Sequence, residues 1–241
     1  MTKSKVAMVF GGSRGIGAAL VCRLAADGYA VAFTYSSDVQ RSEELVSALQ
    51  SNGKQVFALR ANSVDSAEIR RAVDQVVAQL GAIDTVVVNA GVLRMGSIST
   101  MSEVDLDLLL DVNVRGVYLA IQAAVAQMRD GGRVITIGSN TAERTGNPEG
   151  TVYAMTKAAV ASMVKGLALD LAPRRITVNN IQPGPTYTDM TSAMAEQLES
   201  IVPLGRIGEP SEIGELASYI ASEKAGYMTG ASLTIDGGFI L

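Results

Sequence analysis

Tyr153 and Lys157 stand four residues apart in Tyr153-Ala154-Met155-Thr156-Lys157. On a helix that spacing puts both on one face, about 6 Å apart along the axis. A free phenol titrates near pH ~10 and a free ammonium near ~10.4. An ammonium about 4 Å from a phenolate, at an effective dielectric constant of about 20, favours the phenolate by about 4 kcal/mol. The spacing therefore predicts a Tyr153 pKa lowered to about 7, an acid/base group poised for proton transfer. The chain needs such a group. It contains no histidine, which excludes histidine general bases, Ser-His-Asp triads and the commonest zinc sites. No metal site is expected.

A second feature binds rather than reacts. Gly11-Gly12-Ser13-Arg14-Gly15-Ile16-Gly17 follows an apolar run, Val6–Phe10, and leads into an apolar segment that continues to Ala26. Glycines at 11, 15 and 17 permit positive φ and close approach of backbone N–H groups to a pyrophosphate at a helix N-terminus. Strand before and helix after are the context a dinucleotide site demands, although a glycine-rich turn alone can be purely structural. An acidic ribose anchor would stand about 20 residues on. That position reads Phe33-Thr34-Tyr35-Ser36-Ser37, with no carboxylate before Asp38. Hydroxyls at Ser36 and Ser37, with the cations Arg14 and Arg41, favour the 2′-phosphate of NADP(H) over the 2′-hydroxyl of NAD(H). The alternative role for Ser36 and Ser37 is to begin a loop and cap the next helix.

Positioning these groups requires a regular frame. Short apolar runs recur at Val6–Phe10, Ala30–Thr34, Gln55–Leu59, Thr85–Val88, Arg133–Ile137, Thr177–Ile181 and Ser232–Ile235, with helical segments such as Ser42–Gln50 and Ala67–Leu80 between them. Continuous rather than alternating apolar strands are buried on both faces. The pattern predicts one α/β domain over residues 1–241, a Rossmann-type doubly wound parallel seven-stranded sheet with helices on both faces. Length and composition agree: 241 residues, 48% hydrophobic, 18% charged, net charge −4. That charge gives no electrostatic footprint for nucleic acid or an anionic membrane. Cys22 is the only cysteine, so no intrachain disulfide forms. Met1-Thr2-Lys3-Ser4-Lys5 leads into only five apolar residues, fewer than the ~7–15 of a secretory leader. With no run of about 18 apolar residues, a cytoplasmic protein is expected.

Taken in order, the motifs make the chain resemble the short-chain dehydrogenase/reductase family over essentially its whole length, most closely its carbonyl reductases and 3-oxoacyl-(acyl-carrier-protein) reductases. They are the glycine loop, Asn89-Ala90-Gly91 after the fourth strand, and Asn113 in an apolar helix. Ser139 at the end of the fifth strand, Tyr153 with Lys157, and Pro183-Gly184 with Thr188 complete the set. Family members usually carry Thr where this chain has Phe10, and often two Asn where it has Val88 and Asn89. The stretch from Ser139 to Tyr153 is one residue longer than in many relatives.

The resemblance implies a function: hydride exchange between NADP(H) and a small ketone or secondary alcohol. It also implies roles. Tyr153 gives or takes the proton on the substrate oxygen, Ser139 holds that oxygen, Lys157 tunes Tyr153 and binds the nicotinamide ribose, and Asn113 keeps a water in a proton relay at a local helix distortion. On residues alone Asn113 would be an exposed polar position. Asn62 and Ser63 would sit by the adenine, unless they only form the turn before the helix from Asp65. Asn89, Ala90 and Gly91 would pass beneath the adenine-side ribose, and Pro183, Gly184, Thr186 and Thr188 would flank the nicotinamide.

Beyond the reacting groups, Thr186 to Val202 would form a lid, the whole loop reaching about residue 204, with acids at Asp189, Glu196 and Glu199. Thr141, Glu143 and Arg144 are candidates to face substrate. A stripe at 155, 159, 163, 167 and 171 would be core, partner surface or both. The family resemblance implies a homotetramer built through that helix, the Asn113 helix and Leu233–Leu241. Two alternatives stand beside the ketone reductase. One is an acyl-thioester reductase, which needs a basic patch near the pocket, with Arg94, Arg115, Arg129 and Arg133 as candidates. The other is a nucleotide-binding regulator on the same fold, against which the intact Ser139, Tyr153 and Lys157 weigh.

Overall fold

A computed structural model describes residues 4–146 and 148–241. Met1-Thr2-Lys3, at the start of the N-terminal reading above, lie outside the described residues. Seven strands form a single parallel sheet in the order β3-β2-β1-β4-β5-β6-β7. They are β1 (Val6–Phe10), β2 (Ala30–Tyr35), β3 (Val56–Arg60), β4 (Ile83–Val88), β5 (Met128–Ile137), β6 (Thr177–Pro183) and β7 (Ser232–Ile235). The helices are α1 (Gly15–Ala26), α2 (Val39–Ser51), α3 (Ser66–Leu80), α4 (Glu103–Leu110), α5 (Val117–Val125), α6 (Thr151–Leu171), α7 (Ala195–Ile201) and α8 (Pro210–Ala221). A π-helical turn, Asp111–Gly116, joins α4 to α5.

Burial on both faces explains the continuous apolar strands. In β1, Val6, Met8 and Phe10 pack toward α3, α5 and α6, whereas Ala7 and Val9 pack toward α1 and α8. This is the period-two alternation of a strand with two apolar surroundings. The strand order reverses between β1 and β4, so a crevice opens at their carboxyl ends.

Two expectations about helices change. The buried line of α6 is Val160, Val164 and Ala168, one position away from the expected stripe. Met163, Leu167 and Leu171 only flank the core, and Met155 is half exposed. The reason is that Thr156, Lys157 and Val160 turn inward together, toward the end of the sheet that holds the crevice. The continuous helical stretches Glu103–Val125 and Thr151–Arg174 are also long and apolar enough to cross a bilayer. In the fold α5 and α6 bury their apolar sides against the sheet, as core helices do.

Candidate active site

The glycine loop leaves β1 and enters α1 directly. Gly11 (φ +79°) and Gly15 (φ +52°) lie in the left-handed region that other residues avoid. A Cβ on Gly17 would lie 2.0 Å from the Gly11 carbonyl oxygen, and one on Gly11 would lie 2.8 Å from Ala90 Cα. Neither position admits a side chain without moving backbone. Arg14 is the N-cap residue of α1 but gives no side-chain cap, and no acid stands in the first turn. The first amides of α1 are thus left for an anion, at the positive end of the helix dipole.

The loop is pinned from both neighbouring strands. Gly11 N donates to Thr34 Oγ1 (3.1 Å), and Gly12 N donates to the Thr34 carbonyl (2.9 Å). Asn89 Nδ2 donates to the Gly11 carbonyl (2.7 Å), while the Asn89 and Ala90 amides donate to Phe10 O. Thr34 was not singled out from sequence. Phe10, which replaces the family's usual Thr, is a core residue at 2% exposure, and the Thr34 hydroxyl supplies a bond to the loop from the adjacent strand.

At the far end of the dinucleotide groove, Ser36 and Ser37 are exposed beyond β2. Neither caps α2; that role belongs to Asp38, whose carboxylate accepts from Arg41 N (3.2 Å). Arg14 and Arg41 converge on Asp189, and Arg60, a cation that sequence reasoning passed over, donates from Nε to the Ser36 carbonyl (3.2 Å). The signal was a cation ending an apolar strand. Asn62 serves a turn: its Oδ1 accepts from Val64 N (3.2 Å), and Asp65 caps α3. Ser63 instead reaches the π turn, where its carbonyl would lie 2.4 Å from a Cβ on Gly116.

Ser139, Tyr153, Lys157 and Asn113 gather near the carboxyl ends of β4 and β5. Ser139 lies just past β5 and is buried; its Oγ accepts from Thr141 N (3.2 Å) and lies 3.0 Å from Thr141 Oγ1, which donates to it. Thr141 therefore orients Ser139. Lys157 is buried, its Nζ donating to the Ile137 carbonyl (3.2 Å) and lying 5.5 Å from the Tyr153 ring centre. Burial pushes the Lys157 pKa down to about 8. Tyr153 corrects the expectation drawn from spacing. Its pKa is raised, because burial penalises the phenolate more than the Ser139 hydrogen bond favours it. The Coulomb argument assumed an ammonium about 4 Å away and ignored desolvation, which here is the larger effect.

Asn113 is fully buried in the π turn, not exposed. Its Oδ1 accepts from Val92 N (2.8 Å), and its Nδ2 donates to Val92 O (2.9 Å) and to Thr156 Oγ1 (3.3 Å). The side chain clasps the strand β4 exit loop to α6. A Cβ on Gly91 would meet Asn113 Oδ1 at 3.4 Å and Lys157 Nζ at 3.6 Å, so Gly91, Asn113 and Lys157 close on one point.

Past β6, Gly184 N donates to Ile235 O (3.0 Å) and Thr186 is buried, its Oγ1 donating to the Gly184 carbonyl (3.0 Å). The segment after Thr186 is joined to its far end where Tyr187 N donates to Gly208 O (2.8 Å). Thr188 lies over the loop, its methyl 3.2 Å from where a Cβ on Gly15 would stand. Glu143 faces Gln182, and Arg144 reaches the Leu241 carbonyl (3.1 Å). The four arginines considered for an acyl-carrier patch do not share one surface. Arg94 pairs with Asp105 and Arg115 binds the Val64 carbonyl, while Arg129 pairs with Asp84 and Arg133 binds Gly131 at the opposite end of the sheet.

Residues 11–240 match the family model for enoyl-(acyl carrier protein) reductase. The chain is 36% identical to the 3-oxoacyl-(acyl-carrier-protein) reductase of Staphylococcus aureus, with all of both chains covered. It is 39% identical to the cyclic-di-GMP-binding biofilm dispersal mediator protein of Escherichia coli, covering 98% of this chain and 97% of that one. Among solved structures, a short-chain dehydrogenase/reductase from Serratia marcescens shares 49% identity at a TM-score of 0.96, over 99% of each chain. A blue fluorescent protein from a metagenomic library, solved with NADPH, shares 45% identity at a TM-score of 0.95, over 98% of each chain.

Proposed function

Since the chain belongs to the short-chain dehydrogenase/reductase family, we propose that it is an NADP(H)-dependent oxidoreductase that reduces a ketone or oxidises a secondary alcohol. The observation that carries this reading is the convergence of Ser139, Tyr153 and Lys157 beside a glycine loop whose helix N-terminus is left open. The loop fits a dinucleotide: its glycines leave a cradle that Cβ atoms would fill, and Arg14 and Arg41 meet where a 2′-phosphate would lie. The nicotinamide, when bound, supplies or accepts the hydride.

In the reductive direction Tyr153 O–H donates its proton to the substrate oxygen. Ser139 donates a hydrogen bond to the same oxygen and fixes its position, itself held by Thr141. The Lys157 ammonium steadies the phenolate left behind, at the 5.5 Å ring distance, and the Asn113 clasp keeps Gly91 close to it. Positioning and a ready proton donor are the protein's contribution. The Staphylococcus relative supports a 3-oxoacyl thioester as the second reading, although the four arginines do not form its carrier patch. The Escherichia relative favours a nucleotide-sensing role; a complete set of reacting groups favours the enzyme. A homotetramer, with Met155 and Leu169 on the exposed side of α6 covered by a second copy, and a cytoplasmic location complete the reading.

Initial rates with NADPH and NADH, against a panel of ketones and a 3-oxoacyl thioester, test it. Turnover with NADPH is expected, and Tyr153→Phe should lower kcat by roughly 10²- to 10⁴-fold while NADPH still binds. Much faster turnover with NADH, or near-normal turnover by Tyr153→Phe, overturns the reading.

A further inference from the structure

The cations assigned to the 2′-phosphate already hold an anion, and it comes from the chain itself. Asp189, in the lid, places Oδ2 3.2 Å from Arg14 Nη1, and Arg41 Nη1 donates to the same oxygen. The two guanidiniums arrive from different elements, the N-cap of α1 and the first turn of α2, and close on one carboxylate oxygen. Next to it in sequence, Thr188 rests on Gly15. The Thr188–Thr191 knot, in which Thr191 Oγ1 accepts from Thr188 N at 3.0 Å, fixes the turn that carries Asp189. Asp38 stays beside Arg41 on its own helix cap, 3.6 Å from Nε, so Asp189 is the partner that can leave. The neighbouring guanidiniums hold the Asp189 carboxyl below its ordinary range, so it stays an anion at neutral pH.

We propose that Asp189 is a coenzyme-discrimination residue: it occupies the Arg14/Arg41 pair in the coenzyme-free protein, and the 2′-phosphate of NADP(H) must displace it. NAD(H), with a hydroxyl there, leaves the three side chains paired. This rests on the reading that Arg14 and Arg41 receive the 2′-phosphate. Asp189 thus opposes NADPH and holds the preference for it below what two free arginines would give. Its own side chain is exposed, so the effect is modest.

The test measures binding of NADPH, NADH and 2′,5′-ADP to wild type, Asp189→Asn, Arg41→Ala and the double variant. Asp189→Asn should tighten NADPH and 2′,5′-ADP by roughly 3- to 10-fold and leave NADH within about twofold. The gain should shrink in the Arg41→Ala background. If Arg41→Ala weakens NADPH selectively while Asp189→Asn leaves NADPH unchanged or weaker, the arginines hold the phosphate and the displacement proposal is wrong. If Arg41→Ala leaves the NADPH-to-NADH ratio unchanged, the phosphate reading falls and the proposal with it.

Discussion

Replacing Lys157 by methionine should stabilise the coenzyme-free protein while abolishing its turnover. Lys157 is 7% exposed, and burial alone moves its pKa from 10.5 to about 8. At about 1.4 kcal/mol per pKa unit, holding the ammonium costs the fold roughly 3 kcal/mol. Its hydrogen bond to the Ile137 carbonyl offsets about 1 kcal/mol, and methionine fills the same volume with an adaptable apolar chain. The net gain is about 2 kcal/mol, or roughly 5 °C in thermal midpoint for a chain of this size. The pH dependence has a fixed sign. Below about pH 8 both folded and unfolded chains carry the proton, and the full penalty applies. Between about 8 and 10.5 only the unfolded chain keeps it, so wild-type stability rises with pH. The variant lacks this term, and the gap between the two proteins closes. Thermal midpoints of both, without coenzyme and at equal concentration, at about pH 6.5 and about pH 10, check it. A variant less stable at the lower pH, or a gap that does not change with pH, refutes the electrostatic account of the site.

Three further outcomes follow from the loop and the serine. Gly17→Ala puts a Cβ 2.0 Å from the Gly11 carbonyl; it should cost roughly 2–4 kcal/mol and abolish NADPH binding, read by denaturant unfolding and coenzyme fluorescence. Thr34→Val keeps the shape but removes the acceptor of Gly11 N; a loss of about 1 kcal/mol and a several-fold weaker NADPH Kd are expected, and an unchanged Kd would show that Asn89 and the Gly12–Thr34 backbone bond set the loop without the hydroxyl. Thr141→Val removes the side-chain donor to Ser139 and leaves only the backbone one; kcat should fall about tenfold while NADPH affinity holds, and an equal loss in coenzyme binding would make the effect structural.

The frame was legible because its strands are apolar on both faces. Val6–Phe10 and Ser232–Ile235 match the expected runs end to end. The first half of β5 was not, since Arg129, Asp130 and Gly131 interrupt it; Met128 pairs with Ile83, the register then shifts, and the ladder resumes only at Arg133 opposite Thr85. Within the site, Ser139, Tyr153 and Lys157 announced themselves by type and spacing. Thr34 and Arg60 did not, and Thr141 and Asp189 were named without their partners, Ser139 and the Arg14/Arg41 pair, because each acts on a group that only the fold brings near. Asn113 was placed in the right helix by resemblance, but its clasp on Val92 depends on the π turn aiming it inward.

The direction of the tyrosine shift separates two physical accounts of the same four-residue spacing. Counting the ammonium alone yields a phenol ready to lose its proton near neutrality. Counting desolvation as well reverses the sign for Tyr153 and lowers Lys157 to about 8. Burial opposes charge on both groups, yet at neutral pH the outcome is asymmetric. Tyr153 is neutral and protonated, while Lys157, still below its pKa, is charged. The resting pair is therefore phenol and ammonium, a loaded proton donor beside the cation that will stabilise its conjugate base. A site in that state is set to protonate an oxygen, and it reaches the proton-accepting state only at higher pH or when another positive charge enters the crevice. Burial thus leaves the neutral-pH pair as phenol and ammonium, with the lysine nearer its titration than a free ammonium would be.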